Sequence, residues 1–154
     1  MAMSINQPLA QLLISVAKKY VSIFSQQTTG LDIDRYQYVL VLINLHQEKL
    51  TQKALAELLE VDKSFMVNII DYLSEKGYVS RETNANDRRQ QFIKLTKKAK
   101  SAIPKIEQTI AHLNDKATAS LSESQIKIFT ESLLQINCNL SDVKPEGIIL
   151  NNKK

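Results

Sequence analysis

Residues 50–79 contain the most informative structural signals of the chain, in the segment LTQKALAELLEVDKSFMVNIIDYLSEKGYV. Thr51 is a suitable N-cap for a short helix, and Asp62 is a suitable N-cap for a second one. The link between the two helices is too short for anything but a tight turn. Gly77 then supplies the left-handed residue that commonly ends a helix. Two short helices joined in this way predict a helix-turn-helix.

The second helix has two chemically different faces. Its predicted inward residues are Met66, Ile70 and Leu73. Its predicted outward residues are Lys63, Ser64, Val67, Asn68 and Asp71. Lys63 and Ser64 suit phosphates, Asn68 has the paired donor and acceptor that adenine presents, and Val67 suits a thymine methyl group. Taken singly, each is equally an ordinary exposed helix residue, so the DNA interpretation depends on the whole set.

A predicted two-stranded hairpin follows Gly77. The segments YVSRE and QFIKL alternate apolar and polar residues, and the loop between them is longer than most hairpin loops. Arg88 and Arg89 lie in this loop, where a guanidinium can enter the narrow minor groove of DNA. We expect Asp87 to pair with a loop arginine and so to fix the shape of the loop.

Long helices flank this central part. Apolar residues recur at helical spacing from Pro8 to about Gln27, and a nearly all-apolar helix is predicted from about Asp34 to His46, with Asp34 and Gln37 at capping-box spacing. Thr96 caps a further helix to about Ala119, which contains Pro104. A last helix opens with a capping box at Ser122 and Gln125, and its predicted inward residues are Ile126, Phe129, Leu133, Ile136 and Leu140.

These elements predict a mainly α protein with a small β-hairpin wing, six helices and a single domain over residues 1–154. Residues from about 30 to 96 form the predicted winged helix-turn-helix. Residues from about 8 to 27 and from about 97 to 140 form helices outside it, and residues 141–154 look irregular. The low counts of 3 Gly and 3 Pro, and the absence of Trp, agree with helices rather than with a sheet-rich fold.

Charge is concentrated in one segment. The formal net charge of the chain is +4, and residues 81–100 alone carry seven Lys and Arg against two acidic residues. A basic segment on a near-neutral body is the pattern expected for contact with a polyanion. The lysines at the start of the third long helix would, by themselves, be equally consistent with a solvated face.

Other classes of protein receive little support. His46 and His112 have no metal-ligand spacing, the three glycines are isolated, and no nucleophile motif is present, so we expect no metal, no cofactor and no enzyme. No apolar stretch is long enough for a membrane span, and a single cysteine suits a reducing compartment, so a cytoplasmic location is expected. Cys138 itself is predicted to be a small core or interface residue rather than a reactive thiol.

The segment from Leu50 to Lys100 resembles the MarR family of bacterial transcriptional regulators. The resemblance rests on the helix-turn-helix, on the strand entry KGYVSRE and on the wing NDRRQQFIKLT with its Asp87 and Arg89. It implies a winged-helix homodimer that binds pseudo-palindromic operators in double-stranded DNA and usually represses transcription. It also implies DNA contacts from Ser64, Val67, Asn68 and the wing residues. One departure is Val67-Asn68, where family members often carry a polar residue followed by Arg.

Two further expectations follow from the resemblance. The N- and C-terminal helices are expected to interleave between subunits, although an intramolecular bundle is the alternative. A small aromatic or lipophilic effector is expected in a cleft, for which Tyr20, Tyr36, Tyr38 and His46 are candidates, although tyrosines satisfied within a core are common. Thr51 is a further candidate for phosphate contact.

A rival hypothesis from another class remains. The missing arginine on the recognition helix is compatible with a winged-helix protein-interaction module that uses its hairpin against an acidic partner. Preference for one DNA sequence over another distinguishes the two functions.

Overall fold

The computed structural model describes residues 8–28, 30–33, 35–85 and 87–141. Within these residues the elements follow one another as α1 Leu9–Gln27, α2 Gln37–Leu45, α3 Gln52–Leu58, α4 Lys63–Glu75, β1 Val79–Thr83, β2 Gln91–Leu95, α5 Lys97–Thr118 and α6 Glu123–Ser141. The prediction of a mainly helical chain with six helices and one hairpin is confirmed. Contacts divide the chain into two compact units, Met1–Asn114 and Asp115–Lys154.

Helices α3 and α4 form the predicted helix-turn-helix. Thr51 caps α3, since its Oγ1 accepts a hydrogen bond from the Ala54 N–H at 3.2 Å. Glu60 adopts a positive φ of 51° in the turn, which lets the chain reverse within a few residues. Asp62 occupies the N-cap position of α4 as predicted, but its side chain makes no capping hydrogen bond.

The end of α4 sets the direction of the hairpin. Gly77 has a φ of 74°, a conformation that costs glycine little because it has no Cβ. The Gly77 N–H donates to the Ser74 carbonyl at 2.9 Å and the Tyr78 N–H donates to the Leu73 carbonyl at 2.8 Å. This Schellman-type ending satisfies the last carbonyls of α4 and turns the chain directly into β1.

The hairpin is antiparallel and is attached to the start of α3. Its register pairs Val79 with Leu95 at the base and Thr83 with Gln91 near the tip. Since β1 includes Thr83, the loop begins at Asn84, one residue later than predicted. Thr51 also forms an isolated bridge with Phe92, so the N-cap of α3 lies beside β2.

The core of the first unit is built around α2. Four of its apolar residues are buried, and they pack in one cluster with buried residues of α3, α4, both strands and α5. The predicted start of α2 is wrong: the helix begins at Gln37, after Tyr36 in a left-handed conformation. The Gln37 amide is buried and donates to Thr28 Oγ1 at 3.1 Å and to the Ile33 carbonyl at 3.2 Å. Asp34 lies outside the described residues.

The N-terminal caps of α5 and α6 form as the sequence predicts. Thr96 Oγ1 accepts from the Ala99 N–H at 3.2 Å, and α5 continues through Pro104. The capping box of α6 forms in both directions, because the Ser122 N–H donates to Gln125 Oε1 at 2.9 Å and the Gln125 N–H donates to Ser122 Oγ at 3.3 Å.

The predicted inward stripe of α6 is wrong for this single chain. No residue of α6 is buried, and Phe129 and Leu140 are 51% and 62% exposed. Cys138 is exposed too, so it is not a core residue. The reason is that helical periodicity predicts which side chains share a face, whereas burial requires a partner for that face.

Asp32 joins three parts of the first unit. Its carboxylate accepts from the Tyr78 hydroxyl at 2.6 Å and from Lys98 Nζ at 2.6 Å, and Lys98 also donates to the Lys76 carbonyl at 2.8 Å. These two donors hold the pKa of Asp32 below its usual value. Burial, together with the bond to Asp32, raises the pKa of Tyr78 to about 12, so its hydroxyl remains a donor at neutral pH.

This junction predicts an acid-sensitive contribution to stability. A lowered folded-state pKa of Asp32 stabilises the protein above the unfolded value, about 3.9, and the contribution is lost as pH falls through the folded value. Asp32→Asn is therefore expected to lower the urea midpoint at pH 7, and the difference from the unchanged chain should shrink below pH ~4. Glu131→Gln, which breaks only a surface pair with Lys127 at 3.9 Å, is the control. A pH-independent difference for Asp32→Asn would contradict this assignment.

Candidate DNA-binding surface

The outward face of α4 carries the predicted recognition residues. Met66, Ile69, Ile70 and Leu73 are buried on the opposite face. Lys63, Ser64, Val67 and Asn68 are all exposed. The structure therefore presents these four side chains to solvent on one helix, in the order and spacing that the sequence predicted.

Arg81 is a residue of this surface that the sequence analysis did not assign to a site. It extends from β1, and its Nη2 bonds Asp71 Oδ1 of α4 at 2.5 Å while its Nε donates to Gln52 Oε1 of α3 at 3.1 Å. Arg81 thus connects the hairpin to both helices of the helix-turn-helix. It also neutralises Asp71, the one negative charge in the predicted outward set of α4. The sequence contains one indication of this contact. Asp71 is an acidic residue on a helix face that is predicted to meet a polyanion, so a cationic partner for it is expected.

The wing loop is shaped by Asp87 through the backbone. Asp87 Oδ1 accepts from the backbone N–H of Arg89 at 3.0 Å, and the Gln90 N–H donates to the Asp87 carbonyl at 2.9 Å. Asp87 was predicted to pair with a loop arginine. In the structure its carboxylate bonds the main-chain N–H of Arg89 instead of a guanidinium. The side chains of Arg88 and Arg89 consequently extend into solvent.

Ion pairing decides where positive charge remains in the basic segment. Four of its seven cations are paired with carboxylates, namely Arg81 with Asp71, Lys94 with Glu82, Lys98 with Asp32 and Lys100 with Glu48. Within the described part of the chain, neither Arg88 nor Arg89 forms an ion pair. The base of the hairpin is thus largely neutralised, and its tip keeps two uncompensated guanidinium groups.

A polar concavity of ≈ 490 Å³ lies between the wing and the start of α3. It is lined by Thr51, Gln52, Lys53, Arg88, Arg89, Gln90 and Gln91. The predicted phosphate-contact residue Thr51 and the two wing arginines therefore share one surface, and Lys53 adds a third cation that the sequence analysis did not single out. The Thr51 hydroxyl accepts from Ala54, and such a hydroxyl can still donate its own proton to a phosphate oxygen.

A second cavity, of ≈ 560 Å³, lies between α1, the start of α2 and α5. Its lining includes Tyr20, Tyr36 and Tyr38, three of the four predicted effector-site residues, together with Arg35, Phe24 and Ser25. Tyr20 donates its hydroxyl to Asn114 Oδ1 at 2.7 Å, and burial raises the pKa of Tyr20. The walls are mainly aromatic and aliphatic, with a guanidinium at one side.

His46 does not belong to this cavity. It is exposed at the C-cap of α2, whereas Tyr36 is the N-cap residue of the same helix. At about 1.5 Å of rise per residue the two ends are roughly 15 Å apart, too far for both side chains to line one small pocket. The sequence correctly placed His46 at the end of α2, but it could not show which end of that helix borders the cavity.

The described residues offer neither a metal site nor a membrane span. They contain no group of three or more His, Cys, Asp or Glu side chains that could hold a metal ion. None of the helices in the described ranges is both long enough and apolar enough to cross a membrane.

The chain is similar to proteins of known structure and, over part of its length, to a known family. A MarR-family model matches residues 32–90, from the loop before α2 to the wing. The crystal structure of the transcriptional regulator SlyA is 26% identical, with a TM-score of 0.80 over 88% of this chain and 95% of that chain. A MarR C80S mutant from E. coli, complexed with operator DNA, is 25% identical, with a TM-score of 0.75 over 84% of this chain and 93% of that chain.

A third structure is similar in fold. The S. aureus MepR–DNA complex is 20% identical and has a TM-score of 0.81 over 89% of this chain and 99% of that chain. The fold of this chain is therefore similar to that of all three proteins. Residues 32–90 thus match the MarR family, and the chain has the fold of the winged helix-turn-helix transcriptional regulators to which it is similar.

Proposed function

We propose that this regulator is a repressor that binds pseudo-palindromic operators in the cytoplasm as a homodimer and is released by a small-molecule effector. The observation that carries the proposal is the pair of uncompensated guanidinium groups at the wing tip, beside the exposed face of α4. Salt bridges neutralise the cations at the base of the same hairpin, so the free charge lies where the hairpin projects.

The two parts of the surface read DNA differently. Helix α4 enters the major groove, where Asn68 bonds an adenine edge, Val67 contacts a thymine methyl group, and Lys63 and Ser64 meet phosphates. Arg88 and Arg89 enter the adjacent minor groove, whose narrow walls concentrate negative potential. Asp87 preorganises the loop, and Thr51 contacts a phosphate beside it. Because α4 offers few cations, the wing supplies a large share of the affinity.

Homodimer formation is supported by apolar side chains that the single chain leaves exposed. On α1 these include Leu12, Val16 and Val21, which are 54%, 62% and 59% exposed. On α6 they include Ile128 and Leu134, which are 62% and 66% exposed. Exposed apolar side chains in this number are uncommon on monomers, and a second copy of the chain would bury them.

The effector is proposed to occupy the cavity lined by Tyr20, Tyr36 and Tyr38. A cavity of ≈ 560 Å³ has the size of a small-molecule site. Its aromatic walls favour a flat aromatic or lipophilic molecule, and the Tyr20 hydroxyl and the Arg35 guanidinium provide polar contacts at the side.

Fluorescence anisotropy with the promoter duplex next to the gene for this protein, and with a scrambled duplex, tests the function across a salt series. We expect tighter binding to the promoter, a steep salt dependence from phosphate contacts, and an operator with two half-sites about 10 base pairs apart. Equal and weak binding to both duplexes would contradict sequence-specific recognition. The protein-interaction module would then be the better account of the exposed wing.

A further inference from the structure

One side chain joins the wing to both helices of the helix-turn-helix. Arg81 lies on β1 opposite Ile93, and its guanidinium contacts α4 and α3. Its Nη2 bonds Asp71 Oδ1 of α4 at 2.5 Å, and its Nε donates to Gln52 Oε1 of α3 at 3.1 Å. Because a guanidinium is planar and rigid, it makes both bonds in one fixed geometry. A single group therefore fixes β1 against two helices.

A backbone hydrogen bond holds the other strand of the hairpin. The Ile93 N–H donates to the Leu50 carbonyl at 2.9 Å, so β2 is attached just ahead of α3. This bond does not reach α4, the helix that carries the predicted recognition residues. The bond between Arg81 and Asp71 is thus a side-chain contact that ties the wing to the outward face of the recognition helix.

Asp71 carries a charge that does not suit a surface for DNA. It is 50% exposed, on the same helix face as Ser64 and Asn68, and phosphates repel a carboxylate. Charge alone would therefore favour a neutral residue at this position. The carboxylate benefits DNA binding only if its bond to Arg81 does something that outweighs this repulsion.

The placement of the wing is what that bond controls. In the proposed complex α4 enters the major groove and the wing tip enters the adjacent minor groove, so both fit one duplex only at a certain separation. A wing that is free to move would lose conformational entropy when DNA orders it. A wing that is already held against α4 avoids much of that loss, which is the benefit of preorganisation.

We propose that Arg81 is the positioning residue of this DNA-binding surface. Bonded to Asp71, it holds the wing tip and the recognition face at the separation that lets both bind adjacent grooves of one duplex. Its effect on affinity is exerted through the placement of Arg88 and Arg89. The inference rests on the proposed function, because binding of the promoter duplex is its readout.

Asp71→Asn separates positioning from charge, because the two predict opposite results. The amide keeps the size of the side chain and removes one negative charge from the DNA-facing surface, so charge alone predicts tighter binding. Positioning predicts that binding of the promoter duplex weakens about fivefold or more in the anisotropy titration. Arg81→Lys keeps the charge but not the two-bond fork, so it should weaken binding about twofold or more.

The matched control makes the same charge change elsewhere. Glu131→Gln removes one carboxylate from an exposed pair with Lys127 on α6, and affinity should change less than about twofold. The pair of Arg81 and Asp71 is itself on the surface, with side chains 28% and 50% exposed. Each variant should therefore keep a urea midpoint close to that of the unchanged chain, so that a change in affinity reports the folded protein.

A mutational cycle with the wing tip tests how the pair acts. Replacement of Arg88 and Arg89 by alanine is made in the unchanged chain and in the Asp71→Asn chain. If the bond to Arg81 places the tip, this replacement should cost about twentyfold or less in the Asp71→Asn chain, against about a hundredfold in the unchanged chain. Asp71→Asn alone should also make the salt dependence of affinity shallower, because fewer phosphates are contacted.

Two results would overturn the positioning role. One is unchanged or tighter binding by the Asp71→Asn protein, which would mean that the pair acts through charge alone. The other is a tip replacement that costs the same in both chains, which would mean that the pair does not place the tip. Failure of the proposed function is distinct from both, since the unchanged chain would then not distinguish the promoter duplex from the scrambled one.

Discussion

Replacing Arg88 and Arg89 together by alanine is expected to weaken binding of the promoter duplex by about a hundredfold, since each such contact contributes roughly 1–3 kcal/mol. These two guanidinium groups have no ion-pair partner among the described residues, so DNA does not have to displace a carboxylate to reach them. The same variant should show a shallower dependence of affinity on salt, because fewer counterions are released. Anisotropy titrations at several salt concentrations measure both effects.

The control for this variant removes the same charge elsewhere. Lys18 and Lys19 form another pair of adjacent exposed cations, on α1. Their replacement by alanine lowers the net charge equally, and we expect affinity to change less than about threefold, as for a distant surface charge screened by salt. Equal losses in the two variants would show that the wing acts only through net charge. No loss in the wing variant would refute the minor-groove contact.

Val16→Glu is expected to convert the protein from a dimer to a monomer. Val16 is 62% exposed in the single chain, so glutamate there is compatible with folding of one subunit. In a dimer the same carboxylate would be buried against an apolar partner surface, which is costly without a compensating cation. Light scattering should then give a mass near 17.5 kDa instead of twice that value.

Loss of the dimer should also weaken operator binding. A monomer engages one half-site at a time and forfeits the avidity of two linked sites, so we expect affinity to fall by about a hundredfold or more. Gln11→Glu, an exposed polar position on the same helix, is the control and should leave both mass and affinity unchanged. A Val16→Glu protein that keeps the mass of the unchanged chain would contradict a dimer interface at this position. An unchanged chain that is already monomeric would contradict the dimer itself.

The features that the sequence determined are local in the chain. The Thr51 cap joins residues three positions apart, and so does the capping box of Ser122 and Gln125. The left-handed Gly77 and the alternation in the hairpin are likewise properties of a few neighbouring residues. Hydrogen bonds and periodicities over such short spans form in much the same way whatever surrounds them, so the winged helix-turn-helix and the exposure of Ser64, Val67, Asn68 and the wing arginines could be predicted.

The misplaced features depend on neighbours that are distant in the chain. The helix α2 begins at Gln37 instead of about Asp34, and the Gln37 amide bonds Thr28, nine residues away, inside the core. His46 and Tyr36 share a helix, and only the packing of α1 and α5 decides which end of it faces a cavity. On α6 the predicted inward residues Ile126, Leu133 and Ile136 are only half-buried and Phe129 and Leu140 are exposed, since periodicity cannot supply the surface that would cover them.

The charged residues show most clearly which features follow from the sequence and which depend on packing. The basic character of residues 81–100 and the two arginines of the loop could be predicted without the structure. Which of these cations form ion pairs depends on packing, because carboxylate partners come from other parts of the chain. Lys98 pairs with Asp32 across 66 residues, and Arg81 pairs with Asp71 across 10. An ion pair requires two side chains within a few ångströms, and that distance is set by how helices and strands pack, not by their order in the chain.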